Sequence, residues 1–312
     1  MMRIGIIGRS SLMMNTINRV VAEGFQISFI ITSKEAPEYT YSSSDFREMA
    51  EKLGCPFLHL PSFKGEAGRN FIASCLKTDI CLSVNYSGVI PSEIINLFPL
   101  GILNAHLGDL PRYRGNATGA WAILNGEEKV GLCIHKMIGG ELDSGDIVCR
   151  SYHNNDGDLR IGQLYDWMDT EIPELYIRAL TKLQEPLCKL EVQDKDPASS
   201  LRTFPRQPTD GRVNFVDSAL TIHRLVNASS EPFGGAFAFI NGKKIIIWRT
   251  SIVYTEDNLQ YIPGQVIEIN RGTGSVTIGC TDNTFLMLHD VEIDGVRGLP
   301  AEFIRSIRSR LA

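Results

Sequence analysis

Arg3-Ile4-Gly5-Ile6-Ile7-Gly8, a helix-patterned stretch over residues 12–23, and Gln26-Ile27-Ser28-Phe29-Ile30-Ile31-Thr32 decide the fold class. Both apolar runs are near-continuous, so each strand must be buried on two faces, the condition of a parallel sheet covered by helices. Strand candidates recur at 57–60, 79–85, 101–106, 130–138 and 147–153, with helical stretches between most of them and a long one at 159–183. The expectation is an α/β domain with a mostly parallel sheet.

After residue 183 this pattern dissolves. Pro186, Pro197, Pro205 and Pro208 stand among charged and small residues, and 186–205 reads as an interdomain linker. A helix at about 217–229 follows, then short β-runs at 236–240, 244–253, 264–269, 275–279 and 284–291, punctuated by turns such as Asn241-Gly242 and Gly272-Thr273-Gly274. They predict a small barrel or curled sheet. A chain of 312 residues exceeds the usual single domain, and the division expected is 1–185, linker 186–205, and 206–312.

Hydrophobic residues make up 43% and charged residues 21%, the balance of a folded globular protein, which excludes extensive disorder. The apolar start turns polar at once, and no segment approaches the ~20 apolar residues of a membrane helix, so a cytoplasmic location with no membrane partner is expected. The seven cysteines (Cys55, Cys75, Cys81, Cys133, Cys149, Cys188, Cys280) are odd in number and scattered, without Cys-x-x-Cys spacing. That suits buried thiols in a reducing compartment, not a disulfide framework or a zinc site. A net charge of −5 argues against nucleic acid as the main partner, and 206–312 carry 11 Lys and Arg against 11 Asp and Glu. Phosphate binding draws on clustered cations, which a neutral C-terminal stretch lacks.

Gly5 and Gly8 could open a dinucleotide loop, yet the full Gly-x-Gly-x-x-Gly spacing is absent, as is a clear acidic residue ending the second strand. More informative is Asn104-Ala105-His106-Leu107-Gly108-Asp109-Leu110-Pro111-Arg112-Tyr113-Arg114-Gly115, emerging from the strand at 101–103. Period-2 alternation puts Asn104 and His106 on one side at a strand's carboxyl end, where open α/β sheets hold their ligands. Downstream, Gly139-Gly140-Glu141-Leu142-Asp143-Ser144-Gly145-Asp146 is a Gly-rich turn carrying carboxylates between two strands.

The order Asn-x-His, Leu-Pro-x-Tyr-Arg-Gly, Leu-Asp-Ser-Gly-Asp resembles the folate-dependent formyltransferase family. Asp210-Gly211-Arg212-Val213-Asn214-Phe215 and Pro232-Phe233-Gly234-Gly235-Ala236-Phe237 extend the likeness into the second half, towards the tRNA and amino-sugar branches. The resemblance implies a Rossmann-like, mostly parallel sheet, a smaller β-barrel-like (OB-like) C-terminal domain, and N10-formyltetrahydrofolate as formyl donor, with no metal. It carries the catalytic roles onto Asn104, His106 and Asp143. The pterin contacts fall on Gly88, Val89 and Ile90 after the fourth strand and on Gly139, Gly140, Glu141, Leu142 and Asp143.

In formyl transfer an amine attacks the formyl carbon and an oxyanion forms. Asn104 would donate to that oxyanion and His106 would carry the proton, with Asp143 raising the His106 pKa and orienting the ring. Where many relatives have His-Pro-Ser-Leu-Leu-Pro, this chain has His106-Leu107-Gly108-Asp109-Leu110-Pro111, which places Asp109 near the acceptor. The stretch 33–44 holds one Lys against two Glu, little for a tRNA acceptor arm to bind. The acceptor expected is a nucleotide-linked amino sugar of surface-polysaccharide synthesis, with Arg9, Arg112 or Arg114 on its pyrophosphate and Asn116 on the sugar nucleotide. Members of that branch are often dimers, so a homodimer is a further expectation. The alternatives are methionyl-tRNA formyltransferase and a non-catalytic folate- or nucleotide-binding module.

Overall fold

The computed structural model describes residues 2–36 and 39–312. The chain divides into two compact units, one of Met1–Thr118, Lys129–His153 and Tyr165–Thr203, the other of Gly119–Glu128, Asn154–Leu164 and Phe204–Ala312.

The first unit is built on β1 (Arg3–Gly8), β2 (Gln26–Thr32), β3 (Phe57–His59), β4 (Ile80–Val84), β5 (Ile102–Leu107), β7 (Lys129–Lys136) and β8 (Ile147–Asn154), in the order β3-β2-β1-β4-β5-β7-β8. Pairings from β3 to β5 are parallel; β7 runs antiparallel to β5. This is a Rossmann-like sheet with one reversed strand. A separate two-residue ribbon pairs β6 (Arg114–Gly115) with β9 (Arg202–Thr203).

Helices α1 (Ser10–Ala22), α2 (Ser43–Leu53), α3 (Ala67–Ser74), α4 (Ser92–Ile95), α5 (Thr118–Asn125) and α6 (Ile161–Leu183) fill the connections. Alternation along β1 splits the core. Ile4 and Ile6 pack with Met13 and Ile17 of α1 and Ile172 and Ala179 of α6, while Ile7 packs with Phe29, Ile31, Ile94 and Phe98. Ile4, Ile6 and Ile7 have no exposed surface, and such burial contributes about 1.5–3 kcal/mol per side chain. Tyr176 of α6, also fully buried, donates its hydroxyl to Ser83 O at 2.7 Å and ties the helix to β4. Gly5 lies inside β1, where a Cβ would come 2.5 Å from Phe29 Cζ; the glycine makes room for that ring within the core.

Residues 186–205, read as a linker, are folded onto the first unit up to Thr203. Glu191 and Ile147 exchange two backbone hydrogen bonds of 2.8 and 2.9 Å, and β9 pairs with β6. Prolines leave such a segment without α-helix or broad sheet; Pro197–Ser199 form a short 3-10 turn capped by the Asp196 side chain, which accepts from Ala198 N at 2.9 Å.

In the second unit, α7 (Ala219–Ser229) is capped by the Ser218 side chain. It lays Ile222 and Val226 on a sheet of β10 (Ala236–Ile240), β11 (Lys243–Val253), β14 (Phe285–Ile293), β13 (Val276–Gly279) and β12 (Val266–Ile269), with β15 (Val296–Gly298) added on β14. All these pairings are antiparallel. The last residues join the two edges. Phe239 and Ala312 exchange bonds of 2.7 and 2.9 Å, Leu311 donates to Gly264 O at 2.8 Å, and Val266 donates to Ser309 O at 3.3 Å. The sheet thereby curls into a barrel with its edges covered. Among the described residues no helix is long and apolar enough to cross a membrane.

Candidate active site

Strand β5 presents Asn104 and His106 two residues apart, and antiparallel β7 sets His135 opposite Asn104 and Cys133 opposite His106. Opposed residues of an antiparallel pair share a face, so one patch of sheet gathers a carboxamide, two imidazoles and a thiol. The turn after β7 brings in Asp143, with Oδ2 3.6 Å from His106 Nδ1 and Oδ1 3.6 Å from His135 Nε2. Both gaps are too long for hydrogen bonds and become ion pairs only when the facing ring is protonated. Asn104 Nδ2 lies 3.2 Å from His135 Nε2. The trio read from sequence therefore converges, and His135 joins it. A lone histidine within a buried apolar strand carries no sequence signal; the reversed register of β7 is what brings it opposite Asn104.

The hydrogen bonds decide which nitrogens are available. Lys136 O can only accept, so His135 Nδ1, 3.0 Å away, carries the hydrogen. Its Nε2 then accepts from Asn104 Nδ2, pinning the carboxamide and leaving the second N–H of that group for a ligand. By the same logic His106 Nε2 donates to Tyr113 O at 2.7 Å, so Nδ1, facing Asp143, is the basic nitrogen.

Asp143 does raise the His106 pKa, as expected, but its pull is outweighed. Burial dominates: the ring is 7% exposed, loses the hydration of its charged form, and lies below its ordinary 6.5 although Asp143 pulls the other way. His106 is thus held as a neutral base at neutral pH. For Asp143, burial pushes the carboxyl up, but the imidazoles of His106 and His135 and the Gly115 N–H at 3.0 Å outweigh it and bring the pKa down to about 2.

Of the residues assigned to a pterin, Val89 is 80% exposed in the loop after β4, next to Gly88. The Ile90 side chain is 3% exposed and packs with Ile94 and Phe98, anchoring the chain as it enters α4. Gly139, Gly140, Glu141 and Leu142 form the turn leading to Asp143. The two loops abut, since a Cβ on Gly139 would lie 2.6 Å from Ser92 Cα. Between them they expose three apolar side chains, Val89, Ile138 and Leu142.

The polar candidates divide. Arg112, exposed, lies over the Tyr113 ring, and Asn116 is exposed on the same loop. Arg114 Nη2 donates to Gln193 Oε1 at 2.8 Å. Arg9 donates to Asn85 O and Lys34 O at 2.6 and 2.5 Å. The Asp109 carboxylate is paired with Arg150 at 2.6 Å and Tyr152 OH at 2.9 Å, both on β8. Pro37 and Glu38, within the cation-poor stretch 33–44, lie outside the described residues.

A family model described as formyl transferase matches residues 3–180, and one described as the formyl transferase C-terminal domain matches 206–308. The chain belongs to the formyltransferase family. The methionyl-tRNA formyltransferase of Acetivibrio thermocellus is 25% identical over 304 residues, 96% of this chain and 95% of the relative. Two solved structures share the fold. An N-formyltransferase from Helicobacter canadensis, in complex with folinic acid and dTDP-3-aminofucose, superposes with a TM-score of 0.66 at 18% identity over 92% of this chain and 99% of its own. HypX from Aquifex aeolicus, in complex with tetrahydrofolic acid, gives 0.59 at 19% identity over 98% of this chain. This formyltransferase spans about half of HypX, 47% of that chain.

The low Asp143 pKa makes the formyltransferase acid-sensitive in a defined window. A carboxyl whose folded pKa lies below its ordinary 3.8 favours the fold above that pH, and the contribution is lost as pH falls towards about 2. The loss amounts to about 2 kcal/mol. Urea unfolding at pH 5 and pH 2 should show this drop in the native protein, and Asp143→Asn should show a correspondingly smaller one.

Proposed function

We propose that this formyltransferase moves a formyl group from N10-formyltetrahydrofolate to the amine of a nucleotide-linked amino sugar by direct acyl transfer. The observation that carries the chemistry is the meeting of Asn104, His106 and Asp143 at one sheet edge, with the basic Nδ1 of a buried, neutral imidazole beside a carboxylate. His106 Nδ1 would take the proton lost by the attacking nitrogen, forming an ion pair with Asp143, and return it to the folate nitrogen as the carbon–nitrogen bond to the donor breaks. The unused N–H of Asn104 would stabilise the oxyanion. The abutting loops fit the donor, because Val89, Ile138 and Leu142 offer exposed apolar surface that a flat pterin would cover.

The acceptor reading rests on charge. The C-terminal stretch 206–312, balanced at 11 cations and 11 anions, offers no field for a polyanion the size of tRNA. A sugar nucleotide needs only local cations, and Arg112 with Asn116 would meet it on the loop after β5. The folate and dTDP-sugar complex of the Helicobacter canadensis enzyme agrees with this chemistry. Methionyl-tRNA is the second reading, favoured by the 25% identity to methionyl-tRNA formyltransferases.

The test offers the enzyme and formyl donor a panel of nucleotide-linked 3- and 4-amino sugars in parallel with methionyl-tRNA. Formylated sugar nucleotide, seen by mass, is expected. Formylation of methionyl-tRNA with every sugar nucleotide untouched would overturn the acceptor assignment.

A further inference from the structure

We propose that Gln193 is a positioning residue of the formyl-transfer site, clamping the turn that carries Asp143 and so setting the distance between its carboxylate and His106. The inference rests on the reading of Asp143 and His106 as the working pair.

Asp143 sits at φ 50°, a left-handed conformation that a non-glycine residue keeps only when its surroundings hold it there. It is held at both ends. Its carboxylate accepts the Gly115 N–H at 3.0 Å. Its backbone carbonyl accepts from Gln193 Nε2 at 2.9 Å, and the same amide donates to Gly145 O at 2.7 Å. Gln193 Oε1 accepts from Arg114 Nη2 at 2.8 Å, on the residue next to Gly115. One side chain, 5% exposed, therefore ties the Asp143 turn to the strand whose N–H binds the Asp143 carboxylate.

The clamp has its own footing. On one side Glu191 and Ile147 exchange their backbone bonds, and on the other β9 pairs with β6, where a Cβ on Gly115 (φ 113°) would run into Thr203 O. Both amide hydrogens of Gln193 are used on carbonyls, and a buried amide that lost them would be left unsatisfied, so its orientation is determined. His106 is faced by Asp143, by His135 and Cys133 of β7, and by Tyr113 O. Among these Asp143 is the anionic group, and its attraction falls as its distance grows.

The test replaces Gln193 by Met, which keeps the length and removes every hydrogen bond, and follows His106 by NMR titration of its imidazole in the enzyme without substrate. With the carboxylate released, the imidazolium loses support, so the titration midpoint should move to lower pH by about one unit, a tenfold change in proton affinity. The acid limb of kcat should move with it, and kcat at neutral pH should fall about tenfold with donor KM changed less than about threefold. Gln193→Asn, which draws the amide back by one methylene, should shift both in the same direction and serves if the Met variant does not fold. A folded variant with the midpoint and the limb unmoved overturns the proposal. If the native enzyme formylates no acceptor, the proposed function fails, and the titration still decides the clamp.

Discussion

His106→Ala is expected to lower formyl transfer by about 10³-fold, within the 10²–10⁴ range of positioned acid–base groups. The size of the effect follows from the geometry. Tyr113 O holds the Nε2–H, which directs the basic Nδ1 towards the Asp143 carboxylate. Burial keeps that nitrogen unprotonated at neutral pH, ready to accept a proton, and Asp143 makes the charged form tolerable once the proton arrives. No other side chain in the patch combines these properties: His135 Nδ1 is bonded to Lys136 O, and its Nε2 to Asn104. Steady-state rates with the formyl donor check it, alongside a thermal melt showing that the variant is folded. A folded His106→Ala enzyme with near-native turnover would remove His106 from the proton path.

Asn104→Asp is expected to lower kcat by at least 10²–10³-fold, the loss found when one oxyanion donor is removed. The substitution preserves shape but replaces the N–H group by an oxygen and puts negative charge where the oxyanion would form. Asn104 reaches His135 Nε2 through one N–H, so the variant also presents an acceptor to an acceptor. Asn104→Ala separates these effects, since it deletes the donor without adding charge. It should fall within the same range, with donor KM little changed. Equal kcat for native and Ala enzymes would sink the oxyanion role.

The core of this protein was legible because burial on both faces writes itself into consecutive residues. Arg3–Gly8 and Gln26–Thr32 are strands with the bounds their apolar runs suggest. The long helix began two residues later than its pattern, at Ile161, and ran unbroken past Pro173 to Leu183, its apolar face held by the sheet. Asn104 and His106 were legible through period-2 spacing on one strand, and Asp143 through the company of a recognisable motif. His135, Gln193 and the pairing of Asp109 were not. Each depends on a partner 31, 50 or 41 residues away, and no local pattern encodes which distant residue arrives.

Residue order alone determined the alternation of strands and helices, the β-rich second half and the identity of the three groups that meet, because hydrophobic periodicity and short motifs are properties of neighbouring residues. The fold decided the rest: the reversed direction of β7, the neutral state of His106, the closing of the barrel by the last residues, and the binding of 191–203 across the Asp143 turn. Each arises where segments remote in the chain exclude water from one another, and only that exclusion sets whether a charge, a tautomer or an amide orientation is stable.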